Sequence, residues 1–181
     1  MKFFESDYLY SHSWENVTTA VWKKYPNDNA QHVLSIDTIS QKVDPATGIL
    51  KVERVFALKQ NVPYLLKQVL GCSDHSYVHE VCEIDSKNKK FVATTNNLSY
   101  TNLMNIKETV TYTPDPQNSE RTLFQQQAQF TALGNISKLA SYVEEFSIQR
   151  FSDNAVKGRE GFINVLEKLF GKKEQPMTGN I

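Results

Sequence analysis

Residues 50–58 read Leu50-Lys51-Val52-Glu53-Arg54-Val55-Phe56-Ala57-Leu58. Alternate positions from Leu50 to Leu58 are apolar except the central one, and this period of two predicts a β-strand with one buried face. The exception is Arg54. A buried, unpaired guanidinium is very costly, so Arg54 requires an anionic guest, water or an internal salt bridge. Three acidic residues are candidate internal partners: Glu80, Glu83 and Glu108.

The strand at 50–58 is the second arm of a predicted hairpin. His32–Val43 is the first arm, and residues 44–48, Asp-Pro-Ala-Thr-Gly, form the turn. The links between the later strands are short and polar, which favours antiparallel neighbours over helical crossovers. The remaining predicted strands are residues 3–10, Ser76–Ile84, Lys90–Asn97, Leu103–Tyr112 and Thr122–Ala132.

Two helices frame these strands. Ser13 is positioned to cap a helix from Trp14 to about Lys24, which Pro26 ends. A long helix is predicted from Ile136 to Phe170, with Gly171 as its stop. The sequence therefore predicts an α+β domain over residues 1–170, with six or seven antiparallel strands and the long helix across one face. Residues 171–181 are expected to form a flexible tail.

The long helix carries a polar extension of its apolar stripe. Leu139, Val143 and Phe146 define the stripe by their spacing of four and three. The same track continues through Arg150, Asn154, Lys157 and Gly161. Either this is an exposed face that begins where the core ends, or it faces a cavity. Guanidinium, amide and ammonium groups together suit a phosphate, and the inward-facing Arg54 favours such an anion site.

Glycines interrupt the same helix at positions 158 and 161. Each weakens the helix by about 1 kcal/mol relative to alanine. Their bare backbone permits a bend or the close approach of another element.

Residues 61–71 are too apolar for an ordinary loop between two strands. Pro63 suits the first position of a short helix and Gly71 its end. This segment is either a helix packed on the core or a lid that covers a cavity and swings out to contact a bilayer. The lid and membrane contacts would be Val62, Pro63, Tyr64, Leu65, Leu66, Val69 and Leu70.

Composition limits the function classes. Lysine plus arginine equals aspartate plus glutamate, 20 against 20, so no global field draws the chain to nucleic acid. Cys72 and Cys82 match no zinc or redox spacing. No apolar run approaches the roughly 18 residues that cross a bilayer. The sequence predicts no metal site, no cofactor and no catalytic residue, because no nucleophile elbow, phosphate loop or zinc-protease motif is present.

Two rival functions stay open at this point. An enzyme could use the same cavity on a hydrophobic substrate, with His32 or His79 as its titrating group. A protein adaptor could instead have a solid core and bind its partner through the basic helix face.

Several stretches resemble the PRELI-domain family, the slowmo and UPS type of mitochondrial phospholipid transfer proteins. The entry helix is similar in Ser13–Val17 and in Trp22-Lys23-Lys24-Tyr25-Pro26-Asn27. The similarity covers roughly residues 1–170 in the same order, and its specific signatures are Lys-Tyr-Pro-Asn and Arg-Phe-x-x-Asn. The other matching stretches are His32–Asp37, Glu53-Arg54, Glu108–Tyr112 and Arg150–Gly158.

The resemblance implies a curved sheet of about seven strands, with the long helix and shorter helices on its concave face, enclosing a lipid cavity. It implies transfer of phosphatidic acid or phosphatidylserine across the mitochondrial intermembrane space, feeding cardiolipin and phosphatidylethanolamine synthesis. The implied partners are an anionic phospholipid, a small helical twin-cysteine-motif protein and, transiently, the membranes. The family lid matches residues 60–73. The implied headgroup contacts are Lys24, His32, Arg54, Arg150, Asn154, Lys157 and Arg159.

Some details of the resemblance indicate which of the two lipids is carried. Ala57-Leu58 stands where some phosphatidic-acid carriers have a basic pair. Thr113–Pro116, Thr122–Gln126 and Gln149–Phe151 look like the slowmo-type branch, which is associated with phosphatidylserine, whereas His32–Ser40 resembles the phosphatidic-acid branch. The balance favours phosphatidylserine.

Overall fold

The computed structural model describes residues 1–59, 64, 67, 68, 71, 73–133 and 137–173. The elements described from end to end are one antiparallel sheet, two α-helices and a short 3-10 turn, Asp28–Ala30. Tyr64, Lys67 and Gln68 are also helical. The helices are α1 (Trp14–Val21) and α2 (Ser137–Phe170). The strands are β1 (Lys2–Tyr10), β2 (Val33–Val43), β3 (Leu50–Lys59), β4 (His75–Asp85), β5 (Lys90–Asn97), β6 (Met104–Asp115) and β7 (Asn118–Ala132).

The sheet has the order β1-β7-β6-β5-β4-β3-β2, and every pair of neighbours is antiparallel. From β2 to β7 each strand pairs with the next along the chain. The exception is β1, which pairs with β7 and so joins the start of the chain to the far end of the sheet. The predicted α+β class, the seven-stranded curved sheet and the long C-terminal helix are confirmed.

The turn between β6 and β7 is tighter than the sequence predicts. Pro114 pairs with Thr122 and Asp115 with Asn118, so the strands continue into residues expected to form a polar loop. A register shift between Pro114 and Asp115 accommodates the proline, which cannot donate to the ladder. Arg121 closes the turn by an ion pair with Asp115, at 2.6 Å.

Helix α1 ends earlier than predicted, at Val21 rather than about Lys24. After Val21 the backbone hydrogen bonds run to the third preceding residue instead of the fourth, and the Lys23 amide donates to the Ala20 carbonyl at 2.9 Å. The Asn27 side chain then donates to the Lys24 carbonyl at 2.6 Å. These bonds satisfy the end of the helix and hold Lys24 in a defined turn. Ser13 is the N-cap residue, although its side chain makes no capping hydrogen bond.

The solid part of the core lies beneath α1 and the C-terminal half of α2. Trp14 is buried there and donates through its indole nitrogen to the Tyr112 carbonyl at 3.0 Å. Phe162 and Leu166 of α2 are each only 1% exposed. Helix α2 is therefore fixed near its C-terminal end, from which it extends across the sheet. The buried cluster comprises Tyr10, Trp14, Val17, Ala20, Val21, Val52, Cys82, Ile84, Phe91, Ala93, Tyr112, Phe124, Phe162 and Leu166.

Some predictions fall outside the described residues. These are the lid positions Val62, Pro63, Leu65, Leu66, Val69 and Leu70, together with Cys72, Ile136 and tail residues 174–181. Tyr64, the remaining lid residue, is described and is 75% exposed. Among the described helices, none combines the length and the apolar composition needed to cross a membrane.

Candidate functional site

Two adjoining cavities lie between the sheet and α2. Their volumes are about 270 Å³ and 170 Å³. Most of the side chains around them are apolar, so the space suits hydrocarbon better than water. The two cavities share the lining residues Val78, Asn97, Ile106, Phe151 and Asn154. The long helix therefore covers an elongated space rather than a filled core.

Arg54 lines the larger cavity from β3, on the predicted inward face. It is 7% exposed, and its Nε donates to Oε1 of Glu80 at 2.8 Å. Its guanidinium also lies over the rings of Trp22 and Phe56, at 4.8 and 5.1 Å from their centroids. The internal salt bridge and the cavity position thus occur together. Of the three candidate partners, Glu80 is the one that Arg54 bonds.

Cys82 contacts both Arg54 and Glu80. Its thiol lies 3.0 Å from Oε1 of Glu80. Burial and the neighbouring Glu80 carboxylate raise the pKa of the Cys82 thiol. A thiol held in its protonated form is a poor nucleophile, so Cys82 acts here as a buried hydrogen-bond donor.

Three further cations line the cavities. Lys24 and Arg159 face the larger one and Arg150 the smaller. The Lys24 ammonium lies 5.6 Å from the ring centroid of Phe162, and the Arg159 guanidinium lies 5.1 Å from that of Tyr8. Within the described part of the chain, none of these three cations has a carboxylate at ion-pair distance.

His32 and Asn154 belong to the same surface. His32 lines the larger cavity, and Asn154 lines both. The pKa of His32 is lowered, first by burial and then by the positive charges of Lys24, Arg150 and Lys157. Burial and these positive charges both favour the neutral imidazole, and the same charges would attract an anion.

The sequence placed Lys157 on the inner face of the helix, and the structure corrects this. Lys157 is exposed and lines neither cavity. Three residues advance a helix by about 300°, so Lys157 is rotated past the edge reached by Asn154, whereas four residues bring Gly158 back to it. Gly158 lines the larger cavity. The positive charge of Lys157 is one cause of the lowered pKa of His32, after burial, Lys24 and Arg150.

The sequence analysis named Glu108 only as a candidate partner of Arg54 and did not predict its pairing with Gln126 on the cavity floor. Glu108 of β6 and Gln126 of β7 line the larger cavity, and Nε2 of Gln126 donates to Oε1 of Glu108 at 2.7 Å. Burial raises the pKa of Glu108. The signal was present: Glu108 interrupts the alternation of Ile106 and Val110, as Arg54 interrupts that of Val52 and Phe56.

Charges around the two cavities do not balance. Lys24, Arg54, Arg150 and Arg159 are cationic, and Glu80 and Glu108 are the acidic residues among the described lining. Glu80 is engaged by Arg54. The surplus is positive, and its cations stand at the border of an apolar space. Such an arrangement suits an amphipathic ligand with a negatively charged head.

Comparison with known proteins gives a family and several relatives. The model of the PRELI-like family matches residues 15–173. Protein UPS2, mitochondrial, of Saccharomyces cerevisiae is 42% identical over 168 residues, which is 92% of this chain and 73% of the relative. A UPS-like protein of Schizosaccharomyces pombe is 39% identical, covering 93% and 91%. The slowmo homolog of Dictyostelium discoideum is 36% identical, covering 98% and 77%.

Solved structures resemble the chain in fold. A protein from Thermus thermophilus, TTHA0849, superposes with a TM-score of 0.63 at 10% identity, covering 93% of this chain and 99% of that one. The Zhui aromatase/cyclase from a Streptomyces species gives 0.63 at 8% identity, covering 92% and 94%. A START superfamily protein from Mycobacterium smegmatis gives 0.52 at 11% identity, covering 92% and 98%. At such identities the likeness concerns the fold alone.

Proposed function

Because the chain belongs to the PRELI-like family, we propose that it transfers single anionic phospholipids between the outer and inner mitochondrial membranes. Phosphatidylserine is the favoured cargo over phosphatidic acid, and the transfer supports cardiolipin and phosphatidylethanolamine metabolism. The protein works in the intermembrane space, peripheral to both membranes. The name of the Saccharomyces cerevisiae relative places that protein in mitochondria, which supports a mitochondrial location for this chain.

One observation carries the proposal: Lys24, Arg150 and Arg159 border an apolar cavity without a carboxylate at ion-pair distance in the described part of the chain. Partly burying an uncompensated cation costs free energy, and a phosphate would offset that cost. The hydrocarbon of the same ligand fits the apolar walls. In the smaller cavity these walls include Phe130, Val143 and Phe146.

The proposed contacts divide by chemistry. Lys24 supplies a point charge and Arg159 a guanidinium fork for the phosphate. Asn154 adds a neutral donor where the two cavities meet. Arg54, bonded to Glu80 on the floor, contacts the headgroup through its remaining N–H donors. Arg150 acts from the smaller cavity, and His32 lies in the field of these cations. Lys157, on the outer side of the helix, draws the anion at longer range.

The membrane step and the partner complete the proposal. The segment 60–73 acts as a lid that contacts the bilayer, and the exposure of Tyr64 supports an aromatic contact with the membrane interface. A small helical twin-cysteine-motif protein binds the carrier in the intermembrane space. The support for this partner is the family membership alone.

Vesicle-to-vesicle transfer of labelled phosphatidylserine tests the function. The wild-type chain, with its partner protein if stability requires it, should move the lipid. Lys24→Ala should reduce the rate about tenfold, as expected for losing one charge-assisted hydrogen bond. Lys23→Ala is the matched control, because Lys23 is adjacent and exposed and lines neither cavity. No transfer by the wild type, or equal rates for the two variants, would contradict the proposal.

An enzyme acting on a hydrophobic substrate is the second candidate. Its support is Glu108, a partly buried carboxyl with a raised pKa that lines the same cavity, which is a feature of many catalytic acids. Mass spectrometry of lipid recovered after incubation separates the two: a carrier returns it intact, whereas an enzyme returns an altered product. The two cavities favour a ligand-binding protein over an adaptor with a solid core.

A further inference from the structure

A row of polar residues crosses the floor of the larger cavity from strand to strand. Arg54 pairs with Glu80, Glu80 with Thr95, and Thr95 with Glu108. All four residues line the cavity. Neighbouring strands are about 4.8 Å apart, so the row spans roughly 14 Å of the sheet face. One end is neutralised by the bond between Arg54 and Glu80, and the other end is Glu108.

Glu108 has an acceptor to spare. Its Oε1 receives the amide of Gln126, and no side chain or backbone group in the described ranges donates to its Oε2. Burial raises the pKa of this carboxyl, and the negative charge of Glu80 adds to the effect, while Lys24 opposes it. A cationic donor beside Oε2 would therefore stabilise the carboxylate form.

The opposite wall of the cavity is cationic. Lys24 lies over Phe162 of α2, and Arg159 is on α2 itself. A headgroup in this space meets ammonium and guanidinium groups from the helix side and a carboxyl from the sheet side. Such a pair of walls is complementary to the headgroup of phosphatidylserine, whose phosphate and carboxylate would face the cations and whose ammonium would face Glu108. Phosphatidic acid has no ammonium and leaves Glu108 uncompensated.

We propose that Glu108 is a specificity-determining residue, an inference that rests on the proposed function. Its carboxylate receives the ammonium of the headgroup, with Gln126 fixing its orientation, so that phosphatidylserine is carried in preference to phosphatidic acid. Lys24 and Arg159 hold the phosphate in both lipids. The cations thus provide the affinity for phosphate, and Glu108 discriminates between the two headgroups.

Transfer of phosphatidylserine and of phosphatidic acid, measured by the same vesicle assay, tests the assignment. Glu108→Gln keeps the size and the hydrogen bonding but removes the carboxylate. It should lower the ratio of phosphatidylserine to phosphatidic acid transfer about tenfold, the loss of one charge-assisted hydrogen bond. Glu83→Gln is the matched control, because Glu83 is exposed on β4 and lines neither cavity. Its ratio should equal that of the wild type.

Two further measurements keep the assignment testable if Glu108→Gln does not fold. Glu108→Asp keeps the carboxylate and should retain the preference. The wild-type chain should also transfer phosphatidylserine faster than phosphatidylglycerol, which has the phosphate but no ammonium. An unchanged ratio in folded Glu108→Gln, a ratio in Glu108→Asp as low as in Glu108→Gln, or equal transfer of phosphatidylserine and phosphatidylglycerol would overturn the proposal. A wild type that carries no lipid would instead refute the proposed function.

Discussion

Asn27 occupies the space beside Gly161 in which a side chain would begin. A Cβ built on Gly161 would lie 2.6 Å from Oδ1 of Asn27 and 2.9 Å from Cβ of Asn29. The same Oδ1 accepts the Asn29 amide at 3.0 Å, and the Asn27 amide group donates to the Lys24 carbonyl. The contact between α2 and the 3-10 turn thus fixes the backbone that presents Lys24 to the cavity.

Gly161→Ala should destabilise the protein by about 1–3 kcal/mol, because the new methyl group overpacks a contact made by a bonded side chain. Gly158→Ala is the matched control in the same helix, since a Cβ there meets nothing within 4 Å. It should gain up to about 1 kcal/mol from the better helix propensity of alanine. Urea unfolding of both variants measures the difference, and equal changes would refute the close approach.

The Arg54–Glu80 pair should show strong coupling. Arg54→Met leaves a largely buried carboxylate without its partner, and we expect a loss of about 3–5 kcal/mol. Replacing both residues, as Arg54→Met with Glu80→Leu, should cost less than the sum of the single changes. Unfolding free energies of the four proteins give the coupling energy.

Lys51 and Glu53 of the same strand provide the comparison pair. Their ammonium and carboxylate are 3.9 Å apart and much more exposed. A cycle on this pair should give no more than about 1 kcal/mol. Similar coupling energies for the two pairs would show that Arg54 is not held in a low-dielectric site.

Stability should depend on pH through His32. Because its pKa is lowered in the folded protein, the unfolded chain binds more protons at mildly acidic pH. Protonation therefore favours the unfolded chain and lowers the stability of the folded protein. This loss of stability is absent above the unfolded pKa of about 6.5 and grows as pH falls below it. His32→Gln removes the titrating group, so the variant should lose less stability than the wild type between about pH 7.5 and 5.5.

Thermal or urea unfolding across this pH range measures the effect. His75→Gln is the control, because His75 is exposed at the start of β4 and lines neither cavity. Its profile should follow that of the wild type. If the His32→Gln profile does the same, the environment assigned to His32 is wrong.

Much of the fold could be predicted because its signals are local. The alternation in residues 50–58 placed Arg54 inward, and Gly171 ends α2 with a φ of +86°. The site was predicted less completely. Glu83 was as plausible a partner for Arg54 as Glu80, until the register placed Glu80 opposite Arg54 and left Glu83 exposed. Glu108 was named only as a partner for Arg54, and its bond to Gln126 was not predicted, although its place in an apolar alternation was visible.

Periodicity, capping and turn residues act between near neighbours, so local signals were enough to predict most of the strands and helices and the buried face of β3. Local signals could not show that β1 pairs with β7, that Lys157 lies outside the cavity while Arg159 lines it, or that Gln126 donates to Glu108. These facts depend on strand register and on the rotation of a long helix, which are set by contacts between residues distant in the chain. A small rotation moves a side chain from the cavity to water.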